Sequence, residues 1–298
     1  MPKTNIKTSD ILLVPVDFGD YYEKAIEFAL KLAPITNSQI HLLHVLDLRD
    51  WWLNEVKEER LINEAFNKLL SISRQFEMPE DTKLIVLTGK RHHKIVEYAD
   101  QVNVRLILMV DNYPFAQEGK RIGSTLENVI MMASKPVITV KSLPKTIFKN
   151  MLVPLDLTKN CRVNLFNSVA LALKFESQLN LVSVLFGDID PEKSRINEKM
   201  EKYSNIYTEN HIPHTKKLIR KYEDLAYQEI LDYGEKIKCD SIIIMTHNEN
   251  VTFDNYIGAF AHHIINEAKV PVISLNNASS AQATKDLLSS VIDPLNIF

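Results

Sequence analysis

The sequence of 298 residues is poor in cysteine and glycine, with two of the former and seven of the latter. Cys161 and Cys239 have no CxxC partner and cannot build a disulfide framework, which favours a reducing compartment. The net charge of −3 argues against a general nucleic-acid or anionic-membrane surface. No apolar run reaches the ~18 residues of a membrane span, and the N-terminal segment lacks the apolar core of a signal peptide. We therefore expect a cytoplasmic protein that binds neither membrane nor nucleic acid.

The length and the order of apolar segments indicate the fold class. A chain longer than roughly 200 residues is expected to form two domains, and the apolar fraction of 45% supplies two cores. Short apolar runs alternate with amphipathic helical segments, as in parallel sheets covered by helices on both faces. We expect the first helix to end before Pro34. Strands in the first half are predicted at 11–17, 40–46, 84–87, 106–110 and 136–140.

The second half repeats landmarks of the first. The Val-Pro pair at 14–15 recurs at 153–154. The glycine before the last helix, Gly123, recurs as Gly258, and the closing Pro-Val-Ile at 136–138 recurs at 271–273. The spacing between each landmark and its copy is nearly constant, which indicates a tandem duplication. Strands in the second half are predicted at 151–156, 180–186, 215–220, 241–246 and 271–274.

We therefore predict an α/β fold of two tandem Rossmann-like, doubly wound domains, each a five-stranded parallel sheet flanked by helices. The closing strands PVITV and PVISL are apolar edge strands, and pairing them within one chain would cover both. The two domains would then pack as an internal pseudo-dimer. The predicted boundaries are 1–145, 146–275 and a C-terminal tail of 276–298.

Several short motifs, in this order, resemble the universal stress protein family in its tandem two-domain form. Each motif is unspecific alone, but the order and spacing recur twice and span about residues 8–275. The motifs in the first half are VPVD at 14–17, LLHV at 42–45, GSTLENVI at 123–130 and KPVITV at 135–140. Those in the second half are VPLD at 153–156, IIIM at 242–245 and VPVISL at 270–275.

The resemblance implies a candidate site. Many members hold ATP at the strand ends, with adenine near the Asp after strand one and the residue ending strand two, which here are Asp17 and Val45. Their phosphates lie on a G-x2-G-x9-G-[ST] loop, of which Gly123 and Ser124 are the closing residues. The turn from Gly123 to Thr125 also opens a helix, whose N-terminus attracts anions. Two structural alternatives stay open: Asp17 caps the turn after strand one, and Ser124 is an ordinary N-cap.

The chain departs from the family pattern at the other glycines of the loop. Counting back from Gly123 and Gly258 places side chains where backbone N–H groups would otherwise approach phosphates. We therefore expect the second site to be lost and ATP to be a possible ligand of the first domain alone. The residues at the departing positions are Val110, Tyr113, Met245, Asn248 and Ala259.

The histidines form no convincing metal site. His41 and His44 lie three apart on a strand and point to opposite faces. The adjacent pairs at 92–93 and 262–263 lie at or in helices, where neighbouring side chains diverge. We interpret the histidines as surface residues. No catalytic constellation can be assembled either.

These observations predict a non-enzymatic cytoplasmic stress-response protein that acts by binding a small ligand or a protein partner. A further homodimer is left open. The alternative is an ATP-binding switch with weak ATP hydrolysis in the N-terminal domain, against which the scarcity of glycine speaks. An enzyme of the nucleotidyl-transferase type would need HxGH chemistry after strand one, and residues 16–19 have none.

Overall fold

The computed structural model of the chain describes most of both predicted domains. Several positions of the sequence lie outside the described residues, namely Asp20, Trp51, Trp52, Tyr113, Asp156, Asn248 and the tail after 276. The described residues are 10–19, 21–47, 55–111, 123–155, 162–186, 190, 194–221, 226–246 and 258–276.

Strands and helices alternate along the described chain, which confirms the predicted fold class. The strands are β1 (Asp10–Pro15), β2 (Ser38–Leu46), β3 (Lys83–Thr88), β4 (Leu106–Val110), β5 (Val137–Val140), β6 (Asn150–Pro154), β7 (Gln178–Phe186), β8 (His214–Lys221), β9 (Ser241–Thr246) and β10 (Val272–Asn276). The helices are α1 (Tyr22–Thr36), α2 (Glu55–Gln75), α3 (Arg91–Gln101), α4 (Ser124–Met132), α5 (Arg162–Phe175), α6 (Arg195–Glu209), α7 (Ala226–Lys236) and α8 (Ala259–Glu267).

All ten strands form one sheet in the order β3-β2-β1-β4-β5-β10-β9-β6-β7-β8. Neighbouring strands within each half are parallel, as the continuous apolar runs predict for strands buried on both faces. The chain runs outward from β1 to β3 and then returns to β4 on the other side of β1. In open α/β sheets the crevice for a ligand forms at such a reversal, beyond the carboxyl ends of the strands.

The two halves join through their last strands, as the pseudo-dimer predicts. β5 and β10 pair antiparallel, with Ile138 opposite Ile273 at the centre of the register. Both isoleucines are buried. Each strand thus covers the apolar edge that the other would expose, because backbone N–H and C=O groups at a bare edge otherwise recruit foreign strands.

The expectation that α1 ends before Pro34 is wrong. The helix continues to Thr36 and contains Pro34 in its last turn. The Thr36 hydroxyl donates to the carbonyl of Leu32 at 3.0 Å, and the left-handed Asn37 donates its N–H to Ala33. These bonds satisfy two carbonyl groups of the last turn, so the helix continues past a proline that lacks its own N–H donor.

No helix in the described part of the chain is both long enough and apolar enough to cross a bilayer.

Candidate functional site

A cleft of about 220 Å³ lies where the chain order reverses, beyond the carboxyl ends of β1 and β4. Its walls come from the segment after β1, the end of β2, the start of α3, the segment after β4 and the start of α4. The structure brings all five residues of the predicted site to this cleft. They are Asp17, Val45, Gly123, Ser124 and Thr125.

Asp17 lies two residues after the end of β1 and supplies one carboxylate of the cleft. Its Oδ1 atom accepts a hydrogen bond from the backbone N–H of Gly19 at 3.0 Å. This is the turn-capping geometry that short Asp side chains favour. Because Asp17 also lines the cleft, capping fixes the orientation of the carboxylate at the wall where a ligand would contact it.

The start of α4 forms another wall. Gly123 is the N-cap residue, and no described side chain caps the helix. The alternative that Ser124 is the N-cap is therefore wrong, since Ser124 is already the first helical residue and Gly123 supplies the extended backbone before it. The helix presents its positive end to the cleft without a competing side-chain acceptor.

The strand ends also show where the glycine positions of the family loop fall. Val110 is the last residue of β4, pairs with Val140 and lines the cleft. Met245 lies inside β9 and Ala259 begins α8, in the second half. Side chains thus occupy three of the positions where the sequence pattern of the family has glycine or a hydroxyl residue.

A second carboxylate, which the sequence reasoning missed, also lines the cleft. Asp111 directly follows β4, and its side chain is only 4% exposed. Its Oδ2 atom pairs with the ammonium group of Lys141 at 2.5 Å. Among the described residues, its Oδ1 atom has no hydrogen-bond partner. The signal that could have found Asp111 is its position, as an acid directly after a buried strand at the open end of the sheet.

Lys141 connects this carboxylate to the other half of the molecule. Its ammonium group also donates to the backbone carbonyl of Asn266, near the end of α8, at 3.2 Å. The Lys141 side chain is 16% exposed, so the pair is shielded from solvent. In such surroundings the pairing is strong, and a remaining unpaired oxygen is correspondingly unfavourable.

The two strand histidines are buried, so their interpretation as surface residues is wrong. His44 donates from Nδ1 to the carbonyl of Val16 at 2.7 Å and stacks on Phe18 at 4.0 Å between ring centroids. Burial is the main cause that lowers the pKa of His44. Because the His44 imidazole donates to Val16, the residue before Asp17, it fixes the segment that carries the Asp17 carboxylate.

His41 lies on the other face of β2, as the spacing predicts. Its Nδ1 contacts the Tyr98 hydroxyl at 2.8 Å and its Nε2 contacts the Gln39 side-chain oxygen at 3.0 Å. Burial, with a smaller effect of the Lys83 charge, lowers the pKa of His41 to about 4. Among the residues that the structure describes, no group of three His, Cys, Asp or Glu side chains could hold a metal ion.

The second half has a different residue at the place of Asp111. Counted with the spacing that relates Gly123 to Gly258, this place is Thr246, the last residue of β9. The Thr246 hydroxyl donates to the carbonyl of Leu275 at 3.2 Å. The unpartnered oxygen at the first cleft therefore has no equivalent at this position of the second half.

Fold and site together define a tandem α/β protein with a ligand-sized cleft at the strand ends of its first half. Residues 8–141 match the model of the Universal stress protein family. The sequence is 29% identical over 151 residues to universal stress protein MJ0577 of Methanocaldococcus jannaschii, covering 44% of this chain and 93% of that protein. Universal stress protein MJ0531 of the same organism is 26% identical over 145 residues, covering 45% and 83%.

A solved structure extends the likeness to both halves. The crystal structure of a universal stress protein from Archaeoglobus fulgidus covers 90% of this chain and 98% of its own, with a TM-score of 0.73. At 18% identity this likeness shows the fold alone. The first half of the chain thus matches the universal stress protein family, and the chain as a whole has the fold of a tandem two-domain member.

Proposed function

We propose that this chain is a non-enzymatic, cytoplasmic stress-response protein that binds a nucleoside-like ligand in the cleft of its N-terminal half. Asp17, Val45 and the start of α4 at Gly123–Thr125 form its contact surface. The single observation that carries the proposal concerns the Oδ1 atom of Asp111. This atom is buried at the wall of the cleft and has no hydrogen-bond partner among the described residues.

A buried acceptor without a donor costs roughly 1–3 kcal/mol, and more when the group is charged. A ligand hydroxyl or amine entering the cleft would supply that donor. The ribose of a nucleoside carries such hydroxyl groups, and Asp17 offers a second carboxylate in the lining of the same cleft. The apolar side chains of Val45, Ile95 and Met109 provide a surface for a flat ring.

A triphosphate fits the same walls less well. Asp111 is a shielded negative charge beside the place where the family loop holds phosphates, and like charges repel strongly away from water. Val110 adds a side chain there. Against these features stand Arg91 at the wall and the positive end of α4. We therefore expect adenosine to bind more tightly than Mg-ATP.

Isothermal titration of the full chain with adenosine and with Mg-ATP tests this order. Asp111→Asn should weaken adenosine binding about tenfold, because the remaining carbonyl oxygen is needed by Lys141 and the amide presents a donor instead of an acceptor. The same substitution should strengthen Mg-ATP binding, because it removes the repelling charge. The ratio of the two affinities is the measured quantity.

Asp232→Asn is the matched control, since Asp232 lies on α7 in the second half, away from the cleft. It should leave both affinities at the wild-type value. Tight Mg-ATP binding by the wild-type chain, unchanged in Asp111→Asn, would refute the proposed ligand preference. A chain that binds neither adenosine nor Mg-ATP would refute the ligand-binding function itself.

The alternative function is an ATP-binding switch with weak hydrolysis, and the uncapped N-terminus of α4 favours it. Phosphate release from Mg-ATP distinguishes the two functions. We expect no release above that of buffer. Release that disappears in Gly123→Val, where a side chain blocks the start of α4, would support the switch and contradict the non-enzymatic function.

The chemistry of the one described cysteine supports the cytoplasmic part of the proposal. Cys239 is a buried free thiol. Burial, with a smaller effect of the Asp240 charge, raises the pKa of Cys239 to about 12. The thiol is therefore uncharged and unreactive at neutral pH, as expected of a structural core cysteine in a reducing compartment.

A further inference from the structure

A second cavity lies between the two halves, at the end of the sheet opposite the cleft. This junction cavity opens beyond the amino ends of β1, β4 and β5, and is closed on its other side by α5 and β10. Its volume is about 320 Å³, within the size range of small-molecule sites. Neither half could form it alone, because both contribute to its walls.

Much of the lining of the junction cavity is apolar, although the lining also includes the polar side chains of Thr36, Asn103 and Asn167. Ile138 and Ile273, which face each other across the β5–β10 pairing, form its floor together with Leu275. Phe148 and Phe175 pack edge to face at 4.9 Å between ring centroids and line one side. Burial of an aliphatic chain against such a surface favours binding, because it removes apolar area from water.

The mouth of the junction cavity is positively charged. Its lining contains three basic side chains, those of Arg105, Lys135 and Lys174, and one carboxylate, that of Asp10. Arg105 is paired with Asp10, while Lys135 donates to the uncharged side-chain oxygen of Asn103. The lining thus carries an excess of two positive charges.

On α5, Lys174 is the residue directly before Phe175, which belongs to the apolar part of the lining. Burial, together with the neighbouring charge of Arg105, lowers the pKa of Lys174. A negative group at the mouth would counter this unfavourable environment by pairing with the ammonium group. A phosphate-rich ligand would suit the same cavity less well, because much of its lining is apolar.

We propose that the junction cavity binds an amphipathic monocarboxylate, with an unbranched aliphatic chain on the apolar floor and the carboxylate at Lys174 and Lys135. Charge complementarity at the mouth and apolar complementarity inside select this class. A neutral apolar molecule would leave the excess positive charge of the lining uncompensated, and an amphipathic cation would be repelled by it. The site is independent of the nucleoside cleft, which lies at the other end of the strands.

Three probes test the proposal by isothermal titration of the full chain. Each has an unbranched ten-carbon chain, and they differ in the headgroup. Decanoate should bind with a dissociation constant below about 1 mM. Decanol should bind at least tenfold more weakly, and decyltrimethylammonium should not bind. Equal affinity of decanoate and decanol, or no binding of decanoate, would overturn the proposal.

Two variants locate the probe. Lys174→Gln keeps much of the length of the side chain but removes its charge, and should weaken decanoate about tenfold without affecting decanol. Lys202→Gln, an exposed lysine on α6, is the matched control and should change neither affinity. Decanoate binding that is the same in Lys174→Gln and in the wild type would contradict the proposed headgroup site.

Ala170→Leu fills the junction cavity from α5 and should abolish binding of both decanoate and decanol, with adenosine binding retained as evidence of folding. Retained decanoate binding in this variant would place the probe elsewhere and refute the site.

A full chain with Leu287→Ser and Leu288→Ser should bind decanoate as the wild type does. A gain in affinity there would make the chain's own C-terminal segment the occupant, and the proposal would be wrong.

Discussion

Single buried side chains show how the two halves diverged while keeping the same backbone bonds. His44 donates to the carbonyl of Val16, and Ser183, its equivalent by the spacing of the two Val-Pro pairs, donates to the carbonyl of Leu155. Both carbonyls lie just beyond the first strand of their half, where the sheet no longer pairs them. A buried carbonyl needs a donor, and the two halves meet this need with chemically different residues.

His41 gives a prediction at the residue scale. Its pKa is about 4 in the folded chain and roughly 6.5 in an unfolded one. Between these pH values the unfolded chain binds a proton that the folded chain does not, so the contribution of His41 is complete above pH ~6.5 and is lost as the pH falls towards 4. Each pKa unit corresponds to about 1.4 kcal/mol of stability, and partial solvent screening reduces this value. His41→Gln should therefore lessen the loss of stability on acidification by on the order of 2 kcal/mol.

Urea unfolding at neutral pH and near pH 4.5 measures this difference. His93→Gln, an exposed histidine on α3, should keep the pH dependence of the wild type. If wild type and His41→Gln lose the same stability on acidification, the buried neutral imidazole is not the cause.

At the scale of elements, the β5–β10 pairing joins the halves, and each of its two strands carries a buried hydroxyl group. Thr139 and Ser274 occupy equivalent positions of the repeat and are both buried. Among the described residues, neither hydroxyl has a hydrogen-bond partner. Their neighbours at the centre of the pairing, Ile138 and Ile273, belong to the core. The junction is therefore stabilised by backbone pairing and apolar burial, not by these hydroxyl groups.

Thr139→Val should consequently stabilise the protein by about 1 kcal/mol, because it replaces an unpaired buried hydroxyl with a methyl group of similar size. Thr36→Val is the matched control, since the buried Thr36 hydroxyl donates to Leu32, and it should destabilise by about 1 kcal/mol. Denaturant unfolding of both variants measures the two free energies. Destabilisation by both would mean that Thr139 has a partner.

At the scale of the whole molecule, one continuous sheet makes the two halves a single folded body. We propose that the domain boundary falls at residues 145–146, within the connection between β5 and β6. Lys145 and Thr146 are exposed. The connection itself contacts the second half, since Lys141 donates to the carbonyl of Asn266 and Thr146 donates to the Asp240 carboxylate at 2.8 Å.

A protease site inserted between Lys145 and Thr146 tests the boundary. After cleavage the two fragments should still elute together in size-exclusion chromatography, because the β5–β10 pairing does not depend on the connection. Adding Ile138→Lys should separate them, since an unpaired charge would lie in the core of the pairing. Separation of the fragments without that substitution would contradict the proposed arrangement.

Local sequence information was sufficient for the elements and for their order. Continuous apolar runs such as residues 106–110 and 241–246 became buried strands with nearly the predicted bounds. The exception, Pro34, concerned a helix end, where tertiary burial and the hydrogen bond of Thr36 outweighed the preference of proline. Local propensities are weak compared with packing at such positions.

The candidate site was predictable to the extent that its residues follow strands or open helices. Asp17, Val45 and Gly123–Thr125 meet at one cleft because the carboxyl ends of parallel strands lie at one edge of a sheet. Asp111 was missed because its importance depends on burial and on Lys141, which lies well beyond it along the chain. Such pairing is not encoded in any local pattern.

The sequence by itself determined the duplicated α/β fold, since hydrophobic periodicity and repeat spacing are local or periodic properties of the chain. Only the tertiary structure decided which polar groups are buried, which of them remain unpaired, and that the two halves enclose a cavity between them. The physical reason is that burial and pairing arise from contacts between distant segments, and the energy of a polar group depends on its surroundings more than on its neighbours in sequence.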